Sequence, residues 1–203
     1  MKFGVAFSGV CGIASVGVLE ALEEMEMRPE ALFLTGNSIL PVFLWDSGRE
    51  KKRIFELCRR LRRLPSPRKR ALRSISLELD RLTPRTKLYL SGKTSDYTTD
   101  KSFFPEAPAL RDIREAVPEM IEGYRAPKDQ TENQPQTWPL TGMGCERILL
   151  VSPGCCEVRD KCDFQLRLPA YDRAAMEDLR LSHFQGYRAA LSMREKLYER
   201  LLF

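Results

Sequence analysis

The chain has 203 residues, 43% of them apolar and 30% charged, with a net charge of +5 at neutral pH. These are the proportions of an ordinary globular protein, and one domain with a substantial core is the simplest organisation at this length. They exclude a membrane-spanning chain, because no apolar run approaches the length of a bilayer. Met1-Lys2-Phe3-Gly4-Val5 enters a strand-like segment directly, with neither an apolar leader nor a cleavage site, so a cytoplasmic location is expected. In that compartment Cys11, Cys58, Cys145, Cys155, Cys156 and Cys162 are expected to be reduced thiols. Cys155, Cys156 and Cys162 lack zinc-ligand spacing and the single histidine, His183, is distant, so no metal is expected.

Lys2 to Phe7 reads as a buried strand, followed by a turn at Gly9 and Gly12. Ala14 to Met25 is predicted to be a helix with Val16, Leu19, Leu22 and Met25 on one face. Ala31 to Leu34 is a short second strand. Ser38 to Trp45 begins an apolar helix that tolerates Pro41 in its first turn. Strand, helix and strand form one β-α-β unit, so the two strands should be parallel. Arg49 to Leu64 is an amphipathic helix with Ile54, Leu57, Cys58, Leu61 and Leu64 on its apolar stripe. Its other faces are almost wholly basic: from Arg49 to Arg73, twelve Lys or Arg stand against two acids.

Pro65-Ser66-Pro67 ends that helix, and a second one is predicted from Ala71 to Leu82. Lys87 to Leu90 is a strand. Ser91 to Pro108 is polar and rich in turn residues, and Ala109 to Val117 is a short helix. Residues 118–142 lack apolar periodicity and read as a surface loop. Arg147 to Val151 and Asp163 to Leu168 are strands. Met176 to Arg180 is a short helical segment, and His183 to Leu202 is a long terminal helix.

Thr35-Gly36-Asn37-Ser38 places a serine just past a buried strand, at the mouth of a helix. α/β hydrolases expose their nucleophile there, in G-x-S-x-G. Gly36 supplies the first glycine of that elbow, and Leu40 stands where the second belongs. A helix N-cap is an equally good reading of Ser38. Ser91-Gly92-Lys93-Thr94 ends like a P-loop, but Lys87 occupies the place of its first glycine. The basic run has no interleaved aromatic beyond Phe55, so nucleic acid is a poor fit. A basic amphipathic helix over 49–64 suits an anionic membrane surface. It equally suits the solvated outer layer of an α/β fold.

Together these stretches resemble the patatin-like phospholipase family in its bacterial form. Phe7-Ser8-Gly9-Val10-Cys11-Gly12 corresponds to a shortened version of its glycine-rich loop, with Cys11 where a basic residue is usual. Gly12 to Leu22 is similar to the family's first helix, and Gly36-Asn37-Ser38-Ile39-Leu40 to its nucleophile motif. Gly144-Cys145-Glu146-Arg147-Ile148-Leu149-Leu150-Val151 resembles the strand that follows the family's aspartate. Asn133-Gln134-Pro135 resembles its Asn-x-Pro, and Asp129 lies near the dyad position without either accompanying glycine. The stretch from Gly186 to Ala190 resembles the closing helix. The likeness is clear over 2–45, fair over 109–152 and faint over 163–200.

The resemblance implies a three-layer α/β/α sandwich with a mainly parallel central sheet, formed by residues 1–203 as one domain. It implies a Ser-Asp dyad without histidine: Ser38 as nucleophile, Asp129 as base, and backbone amides of Gly9, Val10, Cys11 and Gly12 around the oxyanion. Losing one such donor costs about a hundred- to a thousandfold in rate. The implied substrate is a lipid or acyl ester, and no cofactor is required. Departures at Leu40, in the glycine loop and around Asp129 imply reduced activity. They equally suit a catalytically silent relative that binds lipid or a membrane surface.

Overall fold

The computed structural model describes residues 1–8, 11–63, 77, 79, 82–93, 98–103, 137–154, 161–169 and 178–203. β1 (Phe3–Phe7) and β2 (Ala31–Thr35) are buried at every position and flank α1 (Ala14–Glu24). One turn of 3-10 helix, Gly36–Ser38, leads into α2 (Ile39–Asp46), and α3 (Lys51–Arg63) follows. The other described elements are β3 (Lys87–Lys93), β4 (Thr98–Phe103), α4 (Trp138–Gly142), β5 (Arg147–Pro153), β6 (Phe164–Leu168), α5 (Leu179–Ser192) and α6 (Arg194–Leu201).

The strands form one sheet in the order β4-β3-β2-β1-β5-β6. β3, β2, β1, β5 and β6 run parallel, and β4 is antiparallel to β3. Val5 lies opposite Leu32 on one side and Leu149 on the other. Runs of unbroken apolar residues such as Val5-Ala6-Phe7 and Ile148-Leu149-Leu150-Val151 are what a parallel sheet covered on both faces requires. Alternate residues serve the two faces. Phe3, Val5, Phe7, Leu32, Leu34, Leu149 and Val151 join the larger core with side chains of α1, α2, α3, α5 and α6. Ala6, Phe33, Ile148 and Leu150 join the smaller core with Leu140 and Met143, from α4 and the residues after it.

This division follows from the handedness of parallel crossovers, which is almost always right-handed. The chain steps from β1 to β2 to β3 with α1, α2 and α3 on one face. It then reverses direction to reach β5, and α4 lies on the other face. The result is an α/β fold with helices on both faces of a mainly parallel sheet, compatible with a three-layer sandwich. Among the described residues no helix is long and apolar enough to cross a membrane.

Three contacts fix the layers. A Cβ on Gly4 would lie 2.8 Å from Cys145 Sγ and 2.9 Å from a Leu140 methyl, so the glycine lets α4 settle on β1. A Cβ on Gly17 would stand 2.0 Å from the carbonyl oxygen of His183, and one on Gly186 would stand 2.1 Å from that of Ala14. α1 and α5 therefore meet backbone to backbone. At the end of α2, buried Asp46 accepts from the Thr86 N–H at 2.9 Å and the Thr86 hydroxyl at 2.7 Å, tying α2 to the start of β3.

Several elements differ from the sequence reading. The polar stretch after Leu90 holds the end of β3 and all of β4. An edge strand with one hydrogen-bonded neighbour has no need of an apolar run, and Thr98 and Thr99 favour extended backbone. Ser91-Gly92-Lys93 lies inside β3, which removes the P-loop likeness. Residues Trp138–Gly142, expected in a loop, form α4. The terminal helix starts at Leu179, because the Asp178 carboxylate caps it by accepting from the Arg180 and Leu181 N–H groups. It is interrupted at Met193. The expected helix over 109–117 and most of that over 71–82 lie outside the described residues; Leu77 and Leu79 are helical.

Candidate functional site

β1 leads through α1 to a strand on one side, and the chain later returns to β5 on its other side. The strand order therefore switches direction between β1 and β5. Ligands of open α/β sheets bind beyond the carboxyl ends of the strands at such a point. Three chain segments converge there: the turn after β1, the turn after β2 and the end of β5.

The turn after β1 is tied to β5 through one carbonyl. Val151 O accepts from the Ser8 N–H at 3.0 Å and from the Cys11 thiol at 3.5 Å. Cys11, in the place where the resemblance leads one to expect a cation, is thus a buried tether between strands. Gly12 has φ +50°, in the left-handed region that favours glycine. α1 then opens tightly, with Ala14 N–H donating to Cys11 O at 3.0 Å and Val16 N–H to Ile13 O at 3.1 Å. Among the described residues no acceptor meets the Gly12 or Ile13 N–H groups, the orphan donors of a helix N-terminus.

The turn after β2 is pinned by Thr35, whose hydroxyl donates to Phe7 O at 3.1 Å. Gly36, at φ +53°, reverses the chain into the 3-10 turn. Ser38 is fully buried at 0% exposure, and its hydroxyl donates to Thr35 O at 2.6 Å. The N-cap reading fails: the hydroxyl donates backwards into the turn and accepts no N–H from α2. The backbone of Ser38, at φ −79° and ψ −21°, is ordinary helical, and the left-handed glycine two residues earlier takes the bend. Leu40 points into the larger core and is fully buried, which is how α2 accommodates it where an elbow glycine would lie.

Between Gly36 and Ser38 stands Asn37, at a variable position of the nucleophile motif. It is 1% exposed, and its Oδ1 has no hydrogen-bond partner among the described residues. All three heavy atoms of its carboxamide lie 3.4–3.5 Å from where a Cβ on Gly12 would be. The amide is therefore laid across the turn that opens α1. A buried amide left unpaired costs about 1–3 kcal/mol, and such groups in folded proteins call for a water or a ligand.

Ser38, Gly36, Gly12 and Cys11 thus come to one end of the sheet. Gly9, Val10 and Asp129 lie outside the described residues, as do Asn133 to Pro135 and the pair Cys155 and Cys156. His183 is not at the head of its helix. It is buried one turn inside α5, with Nε2 2.9 Å from Glu20 Oε2 and its ring edge-on to Phe55 at 5.6 Å. The N–H is not well aimed at the oxygen, so the contact is one of charge and polarity rather than an aligned hydrogen bond. Lys51 Nζ reaches the same oxygen at 2.6 Å. Burial opposes ionisation of Glu20, but contacts to His183 and Lys51 outweigh it and hold the carboxyl below its ordinary 4.5.

An open cleft of about 590 Å³ lies between α6 and the residues around the start of β6, lined by Asp163, Gln165, Lys196 and Glu199 among others. β6 is parallel to β1, so this cleft is at the amino end of the strands, away from Ser38. Among the described residues no group of three or more His, Cys, Asp or Glu is placed to hold a metal ion. Compared with known proteins, the chain matches no family model and no curated protein at a significant level.

Proposed function

We propose that the protein is a patatin-like serine acyl hydrolase of reduced activity, acting on lipid or other acyl esters. The observation that carries this reading is Asn37 Oδ1, without a hydrogen-bond partner among the described residues and buried between Ser38 and the α1 N-terminus at the strand switch point. An ester carbonyl placed there meets a hydroxyl on one side and, on the other, helix N–H groups that no acceptor among the described residues meets. In the reaction Ser38 Oγ attacks the carbonyl carbon and Asp129 takes the hydroxyl proton. The N–H groups near Gly9 to Gly12 hold the developing oxyanion. The alcohol leaves with the proton from Asp129, and a water molecule then attacks the acyl-enzyme and releases the acid. To begin, the Ser38 hydroxyl must turn away from Thr35 O, at a cost of about 1 kcal/mol.

That same hydrogen bond, with the relaxed backbone of Ser38, favours a second reading: a silent relative that binds an acyl ligand without turnover. Reaction with a fluorophosphonate probe separates the two. The hydrolase reading expects covalent labelling that disappears in Ser38→Ala and falls sharply in Asp129→Asn. Equal labelling of wild type and Ser38→Ala, or none of either, leaves only the silent reading.

A further inference from the structure

α3 and α5 are neighbours on the outer face of the larger core, joined where Phe55 meets the His183 ring. Of the apolar stripe on α3, Ile54, Leu57, Cys58 and Leu61 are buried, and Leu64 lies outside the described residues. Among the described residues this helix alone therefore has no apolar face to insert into a bilayer. α5 supplies one. Phe184 is 54% exposed and Leu181 44%, three residues apart on the same side of the helix.

Cations predominate among the charges around them, with Asp178 beside Leu181 and Glu56 beside Phe55 as acids in the same patch. Lys52 and Arg59 flank Phe55 one turn to either side on α3, and Arg180 and Arg188 flank Phe184 in the same way on α5. All four are exposed, as is Arg60. Among the described residues none of these five has an ion-pair partner, whereas Lys51 is held by Glu20 and Arg53 by Glu56. α5 contains no Asp or Glu, and α3 contains only Glu56.

We propose that this two-helix face is a docking surface for anionic lipid bilayers, with the cations at the headgroups and Phe184 and Leu181 at the acyl boundary. Cations surrounding protruding apolar side chains are what an interfacial surface needs. A nucleic acid would use the cations but has no use for Leu181, which offers no stacking face. The surface is independent of the acyl hydrolase reading, since binding requires no turnover.

The test is co-sedimentation with phosphatidylcholine vesicles made with and without phosphatidylserine. Wild type and Ser38→Ala should bind the anionic vesicles equally, and added salt should weaken both. Each surface cation contributes about fivefold, so Lys52→Glu, Arg59→Glu and Arg180→Glu together should weaken binding about a hundredfold or more. Phe184→Ser with Leu181→Ser should weaken it about tenfold while leaving the salt dependence in place. All five positions are exposed, and unchanged thermal melting confirms that the variants are folded. Equal binding to neutral vesicles, or unchanged binding by the charge-reversed protein, overturns the proposal. So does a duplex oligonucleotide that competes with the vesicles while the Phe184 and Leu181 changes have no effect.

Discussion

Where α1 crosses α5, backbone presses on backbone, Glu20 gathers two partners and Tyr187 hydrogen-bonds to Glu24. Where β2 turns into α2, the buried oxygen of Asn37 has none among the described residues. Both places lie along α1, one at its opening turn and one along its whole length from Ala14 to Glu24. The difference separates what holds the fold from what the fold holds out. A crossing with no spare volume sets the angle of α1, and so aims its first N–H groups. The turn at Asn37 keeps an amide oxygen buried without a partner among the described residues, which a protein selected for stability alone would replace.

The largest expected effect lies at the crossing. Gly17→Ala and Gly186→Ala each drive a methyl carbon into a carbonyl oxygen of the facing helix, and backbone cannot yield as a side-chain tip does. Overpacking of this kind costs about 3 kcal/mol or more. For a chain of this size that is a fall in melting temperature of roughly 10 °C. Gly142→Ala is the control: a Cβ there meets nothing within 4 Å, and alanine suits a helix better. Equal melting of the Gly17 and Gly142 variants would break the contrast between a built contact and an idle glycine.

Asn37→Leu tests the other side of the comparison. It replaces an amide with a buried oxygen by an apolar side chain of similar length. We expect a gain of about 1 kcal/mol in urea unfolding, because the desolvation penalty of the amide disappears. Labelling of Ser38 by a fluorophosphonate should fall in the same variant. A loss of stability would show that the amide is fully paired in solution and is part of the scaffold.

How far each region was legible in the sequence follows the same division. β1, β2 and β5 declared themselves, because strands buried on both faces must be apolar at every position. α3 did so through the spacing of Ile54, Leu57, Cys58 and Leu61. β4 was hidden because an edge strand can be polar, and Asp178 was overlooked as the cap that moves the start of α5. Gly17 and Gly186 stood within stretches that suggested helices. That each accommodates the backbone of the other's helix is a contact between distant segments that no local period records. Ser38 was legible as a position and not as a state: nothing in Gly-Asn-Ser says that its hydroxyl turns back to Thr35. Asn37 was hidden by occupying a slot any residue can fill.

The smallest expected effect, and the most specific, is at Glu20. Its carboxyl sits below its ordinary 4.5 in the folded protein, so folding favours the ionised form. The stability this supplies is complete above about 4.5, the unfolded value, and is lost as pH falls through the lower folded value. Glu20→Gln should therefore cost about 1 kcal/mol in urea unfolding at neutral pH, and nothing once the medium is acid enough to protonate the wild-type carboxyl. The effect stays small because Lys51 is 47% exposed and its charge is screened by solvent. A difference that persisted unchanged into acid would mean that Glu20 serves the crossing by packing alone. In that case the rigidity of α1 rests on its glycine contacts with α5, and the charge of Glu20 and its partners adds nothing to the aim of the helix.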